Sequence, residues 1–273
     1  MNPSDEIEGF QEVPEQPEPP RVRTEIATKK IVLPPDADLE RLVHDSSTEI
    51  LTAVAADPRL TEDLALALLN RKELPREALE ALGKNGQVAK QRKVRLALVT
   101  HPRTPRHVSV PTIRHIYTFE LMQVALQPAV PPDVKRAAEE VLIGRLSTIG
   151  SGERLTLAKQ GSGRIAAALL LDKEERIMQA SLANPQMTEV WIVRSLKAET
   201  GTELLAPAVS RHQKWSFRNE VKAALLGNKF TPAARMIQLA SELPINLVKD
   251  ILRNGRLSPQ AKNSLLAVLE KRT

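Results

Sequence analysis

The 273-residue chain holds five histidines and no cysteine, so metal and nucleophile chemistry must be sought in a short set of residues. Without cysteine there is no disulfide, no thiolate nucleophile and no Cys-ligated zinc or iron–sulfur cluster. His44, His101, His107, His115 and His212 show no metal-ligand spacing and read as structural residues. His44-Asp45-Ser46-Ser47 contains the three residue types of a hydrolytic triad, but a triad converges in space from separate parts of a chain. This stretch reads instead as a helix end followed by a cap. Gly150-Ser151-Gly152 and Gly161-Ser162-Gly163-Arg164 invite a phosphate cradle at a helix N-terminus. Neither has the spacing of a P-loop or a dinucleotide fingerprint, and no strand precedes them, so both read as turns. No catalytic, cofactor-binding or metal-binding residue is assigned, and no cofactor is expected.

One charge pattern points to a partner. Between Glu80 and Glu120 the chain carries no acid. The interval holds Lys84, Lys90, Arg92, Lys93, Arg95, Arg103, Arg106 and Arg114, together with three of the histidines. A second stretch carries Arg211, Lys214, Arg218 and Lys222, then Lys229 and Arg235, against Glu220 and Glu242. Such a concentration of positive charge is either a solvated face or a docking surface for an acidic partner, protein or nucleic acid. Stacking on single strands needs exposed rings, and the chain has only two Trp, one Tyr and four Phe. Trp191 and Trp215 align with Leu64 and Val88 in a duplication set out below, which places them in the core. Single-strand stacking is therefore not expected.

The elements that position these residues are helices. Apolar residues such as Ile50, Leu51, Val54 and Ala55 recur three and four apart, and sustained alternation is missing. Helix ends carry a recurring phrase: Asp57-Pro58-Arg59-Leu60-Thr61, His101-Pro102-Arg103-Thr104-Pro105, Gln127-Pro128-Ala129-Val130-Pro131 and Asn184-Pro185-Gln186-Met187-Thr188. It returns as Asn228-Lys229-Phe230-Thr231-Pro232 and Asn254-Gly255-Arg256-Leu257-Ser258. A polar residue suited to a left-handed C′ position ends one helix, and Pro or Gly usually stops it. Thr or Ser then caps the next, or Pro opens it. Pro111 and Pro207 fall inside expected helices and predict that these two are short or broken.

The phrases recur at an offset of 127 residues, from 57 to 184, 101 to 228 and 127 to 254. Residues 33–146 lie over 160–273 without a gap, and about twenty of the 114 pairs are identical. Each half divides into roughly three units of about 42 residues, with 147–159 as a junction. Ahead of them, residues 1–20 carry six acids, five prolines and no base, so the net charge of +6 leaves +12 on residues 21–273. A Pro- and acid-rich stretch cannot bury enough surface to offset its ordering entropy, and residues 1–32 read as a disordered tail. No apolar run reaches the about 18 residues of a membrane span, and the N-terminus lacks a signal-peptide layout. A soluble, cytoplasmic protein without membrane contact is expected.

Short helices, Pro-marked turns and this period resemble HEAT-like α-solenoids. The closer likeness is to the leucine-rich-repeat-variant type found in bacteria, where phrases such as Leu182-Ala183-Asn184-Pro185 followed by Thr188 recur. The resemblance covers residues 33–273 and implies an all-α solenoid of short helical hairpins in two duplicated halves. One member of that type carries an iron–sulfur cluster on N-terminal cysteines, which this chain lacks, so no cluster is implied. A solenoid surface without an identifiable nucleophile, base or cofactor cradle implies a non-catalytic scaffold that binds another protein, an acidic one. Sequence-independent nucleic-acid binding through the basic residues is the alternative. Equivalent helices of a solenoid face the same way, so the two basic stretches form one strip or two patches.

Overall fold

Leucine, valine and alanine three or four residues apart give each segment one buried stripe, and short helices follow. The computed structural model describes residues 31–198, 203–254 and 257–272, and among these there are seventeen helices and no strand. The first half holds α1 (Leu39–Leu42), α2 (Thr48–Ala56), α3 (Glu62–Leu69), α4 (Arg76–Lys84), α5 (Arg92–Thr100), α6 (Arg106–Ile113), α7 (Thr118–Leu126) and α8 (Pro132–Arg145). Most of the expected junction is itself a helix, α9 (Ser151–Gln160). The second half holds α10 (Gly163–Leu169), α11 (Glu175–Leu182), α12 (Glu189–Lys197), α13 (Leu205–Arg211), α14 (Asn219–Leu226), α15 (Ala233–Glu242), α16 (Ile245–Asn254) and α17 (Pro259–Arg272). Six of the eight pairs, α2 with α11 through α8 with α17, start 127 residues apart; α1 with α10 and α4 with α13 start 124 and 129 apart. The duplication read from the sequence is therefore present as helices.

Most helices pack on the one two places along, as α2 on α4, α3 on α5, α5 on α7 and α12 on α14. The pattern crosses the junction, where α8 meets α10 and α9 meets α11. Even-numbered helices thus form one row and odd-numbered helices the other. Starts of the even helices from α2 to α16 lie 26 to 31 residues apart, which is the two-helix unit. That is shorter than the expected unit of about 42, because only some turns carry the Pro or Asn phrase. Nine helices separate equivalent positions, and an odd number moves each helix of the first half to the opposite row in the second. The turns divide in the same way, even-to-odd turns on one edge and odd-to-even turns on the other.

The halves are not independent bodies. One apolar cluster runs from Val99 and Ile113 through Leu157 to Ile165 and Ile177, so the boundary between the halves lies inside continuous core. Arg164 of α10 reaches Glu139 and Glu140 of α8 at 3.5 and 3.2 Å, and Arg154 of α9 meets Glu174 at 2.7 Å. Gly163 opens α10 where a Cβ would collide with the Gln186 carbonyl oxygen, a packing reason for this glycine. Ser162 caps α10 and Gly150 precedes α9, so both glycine clusters are turns. Ser47 caps α2, which makes the His44–Ser47 stretch a helix end and a cap. Residues 1–30, the main part of the acidic tail, and Gly255 and Arg256 of the last phrase lie outside the described residues.

What ties one unit to the next is a set of side chains that take orphaned carbonyls of the turn one unit earlier. Asn184 Nδ2 donates to Ala158 and Gly161 oxygens at 2.8 and 3.1 Å, while its Oδ1 accepts from the Gln186 amide at 2.7 Å. Asn85 does the same with Ala55, Asp57 and Gln87, each at 3.0 Å. His101 and Asn228 repeat it on Arg71 and Leu196 oxygens at 3.0 and 2.6 Å. Arg145 closes on Arg114 and Ile116, both at 2.7 Å, and its counterpart Arg272 closes on Ala240 and Leu243. Every one of these bonds joins turns of the same edge.

Three expectations change. No helix end of these phrases is left-handed: Asp57 (φ −68°, ψ 130°) and His101 (φ −69°, ψ 128°) are extended, while α11 and α14 end on right-handed Ala183 and Gly227. Asn85 is extended too (φ −71°, ψ 110°), and its side chain reaches the Ala55 and Asp57 carbonyls. Thr61 caps α3 by accepting from the Leu64 amide at 3.4 Å, but Thr188 sits at the start of α12 without a side-chain cap bond. Trp215 is 2% exposed as expected, whereas Trp191 is only half-buried, with Arg194 over its ring. Pro111 and Pro207 leave their helices short, at 8 and 7 residues, but unbroken. Pro207 lies in a first turn, where no amide bond is lost.

Asn184→Ala should cost about 3 kcal/mol in urea unfolding, because two buried carbonyls and one amide lose their partner together. Thr61→Ala should cost about 1 kcal/mol and Thr188→Ala close to nothing. Equal losses at the two threonines would show that capping is not what separates them.

Candidate binding surface

The basic residues of the first half divide between the two edges. Lys84 ends α4, Lys90 lies in the following turn, and Arg92 and Lys93 open α5, with Arg95 two positions further into the helix. Arg114 ends α6, which runs back to the same edge. Arg92 Nε meets Glu120 Oε1 at 2.6 Å, and its guanidinium lies 4.9 Å from the centre of the Tyr117 ring. These two contacts join the start of α5 to the start of α7. Lys84 faces Glu80 at 3.9 Å, and Arg95 Nε donates to the Ala89 oxygen at 3.1 Å. Lys90, Lys93 and Arg114 are exposed and have no acidic partner among the described residues. Arg103 and Arg106 sit on the other edge, where Arg103 donates to the Glu73 oxygen at 2.9 Å and Arg106 faces Asp133 at 3.8 Å. Six of the eight residues are therefore brought together and two are not.

In the second half, Arg211, Lys214 and Arg218 gather around the turn from α13 to α14, with Lys214 4.2 Å from the Trp215 ring centre. Lys222 does not join them. It is half-buried and bonds Glu242 at 2.6 Å, which holds that carboxyl below its usual range. Since α5 and α14 belong to opposite rows, the two basic groups lie on opposite edges as two patches. Equivalent helices would face the same way only if an even number of helices separated them.

The turn from α13 to α14 also shows how the halves satisfy one carbonyl differently. His212, at the place of Asn85, accepts from the Lys214 amide at Nδ1 (3.2 Å). The donor role passes to Trp215 Nε1, which reaches the Leu182 oxygen at 2.9 Å, the counterpart of Ala55. Burial first, and then the Lys214 charge, lower the His212 pKa, favouring the neutral ring that this acceptor bond requires.

Exposed rings are what the sequence reading missed. Tyr117, against Arg92, is 62% exposed, Phe119 two residues on is 42% exposed, and Phe217 is 73% exposed between Lys214 and Arg218 in the sequence. Their position in turns or in a first helical turn, outside the apolar stripes, is the signal that could have found them. A separate groove of about 620 Å³ lies between α12, α14 and α16, floored by Leu196, Ala224, Phe230 and Ile251. Its rim alternates Lys197 and Lys229 with Glu220 and Asp250, so it offers an acidic ligand no net attraction. Among the described residues no group of three or more His, Asp or Glu could hold a metal, and no helix is long and apolar enough to cross a membrane. Comparison of the chain with family models, curated proteins and solved structures gives no match.

His212 yields a pH prediction. A folded-state pKa below the unfolded value of 6.5 means that the unfolded chain takes up the proton first. The contribution is complete above that value and is lost as pH falls through it. His212→Asn keeps an acceptor, as Asn85 does, and removes the titration. Between about pH 7.5 and about pH 5.5 the melting temperature of the parent should fall more than that of His212→Asn. Parallel curves would show that His212 does not couple to stability.

Proposed function

We propose that this chain is a non-catalytic binding scaffold that receives an acidic partner on the first-half edge formed by the turns from α4 to α5 and from α6 to α7. The observation that carries this is the set of exposed cations there, Lys90, Lys93 and Arg114, which the described residues leave without an acid. The other cations of the strip, Arg92, Lys84, Arg95, Arg103 and Arg106, have partners inside the fold. Unpaired cations on rigid turns keep their attraction for an anion without first breaking an internal bond. Both an acidic protein surface and a nucleic-acid backbone supply that charge, and the likeness to HEAT-like and leucine-rich-repeat-variant solenoids fits a scaffold role.

Reversing Lys90, Lys93 and Arg114 to Glu together should move elution from immobilised heparin to lower salt. It should also flatten the slope of log affinity against log salt by about two. Unchanged elution by a folded triple variant would overturn this assignment.

A further inference from the structure

We propose that this same edge binds single-stranded nucleic acid without reading its sequence, with bases stacked on Tyr117 and Phe119 and phosphates held by Lys90, Lys93 and Arg114; this rests on the polyanion reading above. Charge alone does not account for the two rings. Tyr117 and Phe119 belong to no buried stripe, and both keep large exposed surfaces on the edge that carries the unpaired cations. Burying either ring in the fold would have been favourable, so exposure points to a ligand with an apolar face.

The Tyr117 ring is held in place. Arg92 lies against it at 4.9 Å and is itself fixed by Glu120 at 2.6 Å, whose other carboxyl oxygen accepts from the Tyr117 amide at 3.3 Å. The network spans α5 and α7, so the ring is ordered before any ligand arrives and little entropy is lost on stacking. Arg114 lies three residues before Tyr117, and Lys90 and Lys93 flank Arg92, so cations bracket the ring. Ring and cation side by side match base and phosphate. An acidic peptide offers the charge but no flat apolar face, and a duplex keeps its base faces inside the stack. Every base has such a face, which makes the contact indifferent to sequence.

The test uses the full chain and fluorescence anisotropy at low salt with three labelled probes. They are oligothymidylate, an abasic oligodeoxynucleotide of equal length, and poly-glutamate. Oligothymidylate should bind at least about tenfold more tightly than the abasic strand, about tenfold being the order of one good stacking contact. Tyr117→Ala should narrow that preference and the Tyr117→Ala/Phe119→Ala double variant should bring the two probes level without changing abasic binding, whereas Tyr117→Phe should behave as the parent. Equal affinity of the parent for both strands overturns the stacking inference and leaves the polyanion reading standing. Tighter binding of poly-glutamate than of oligothymidylate does the same and assigns the edge to an acidic protein. Binding of none of the three overturns both readings.

Discussion

A helix leaves four carbonyls without an intrahelical partner at its C-terminus, and a chain built from helices of 4 to 14 residues has many such ends for its length. An apolar stripe holds helices side by side but does nothing for carbonyls that the next unit covers. The constraint that shapes this protein is that turns covered by the next unit receive donors from it on the same edge. Asn, His, Trp and Arg side chains supply them, reaching 23 to 33 residues back along the chain. Because such a bond has both distance and direction, it sets the register of one unit on the next, which apolar packing alone specifies weakly.

The two halves meet this constraint with different chemistry at equivalent places. Asn184 combines acceptor and donor in one amide. Its counterpart Asp57 accepts from the Arg59 amide at 2.8 Å but has no donor, and Arg59 supplies it to the Pro34 and Pro35 carbonyls. Pro34 is the counterpart of Gly161, so the same carbonyl is served by a different residue. The Arg59 hydrogen bonds also hold the Asp57 carboxyl below its usual pKa range. Asn85 against His212 with Trp215 is a second such exchange. Conserving the bond and not the residue lets copies diverge while their helices keep the 127-residue offset. The odd helix count then places equivalent turns on opposite edges, which is why the second half does not extend the basic edge of the first.

Helical class, the 127-residue duplication and most turns were legible in the sequence, since Pro, Asn and Thr mark turns through local backbone rules. The unit length was not. Turns closed by Arg71 and Arg145 carry no Asn-Pro phrase, and an arginine that serves a distant carbonyl looks like any surface arginine. The basic interval was legible as composition, yet its division between two edges depends on counting helices, including α9 in the stretch between the halves. Partnering was hidden as well: Arg92 and Lys222 look alike in sequence to Lys90 and Lys93, but each closes an ion pair between helices. The exposure of Tyr117 and Phe119 was hidden because both precede the apolar stripe of α7, where packing and not local pattern decides burial.

The exchange of Asn184 for an Asp–Arg pair tests most directly whether the conserved quantity is the bond. A double-mutant cycle by urea unfolding would compare the parent, Asn184→Asp, Gln186→Arg and the double variant, with Gln186 standing where the first half has Arg59. Asn184→Asp should lose about 3 kcal/mol, Gln186→Arg alone should be close to neutral, and the double variant should regain about half of the loss. A double variant no more stable than Asn184→Asp would contradict the account.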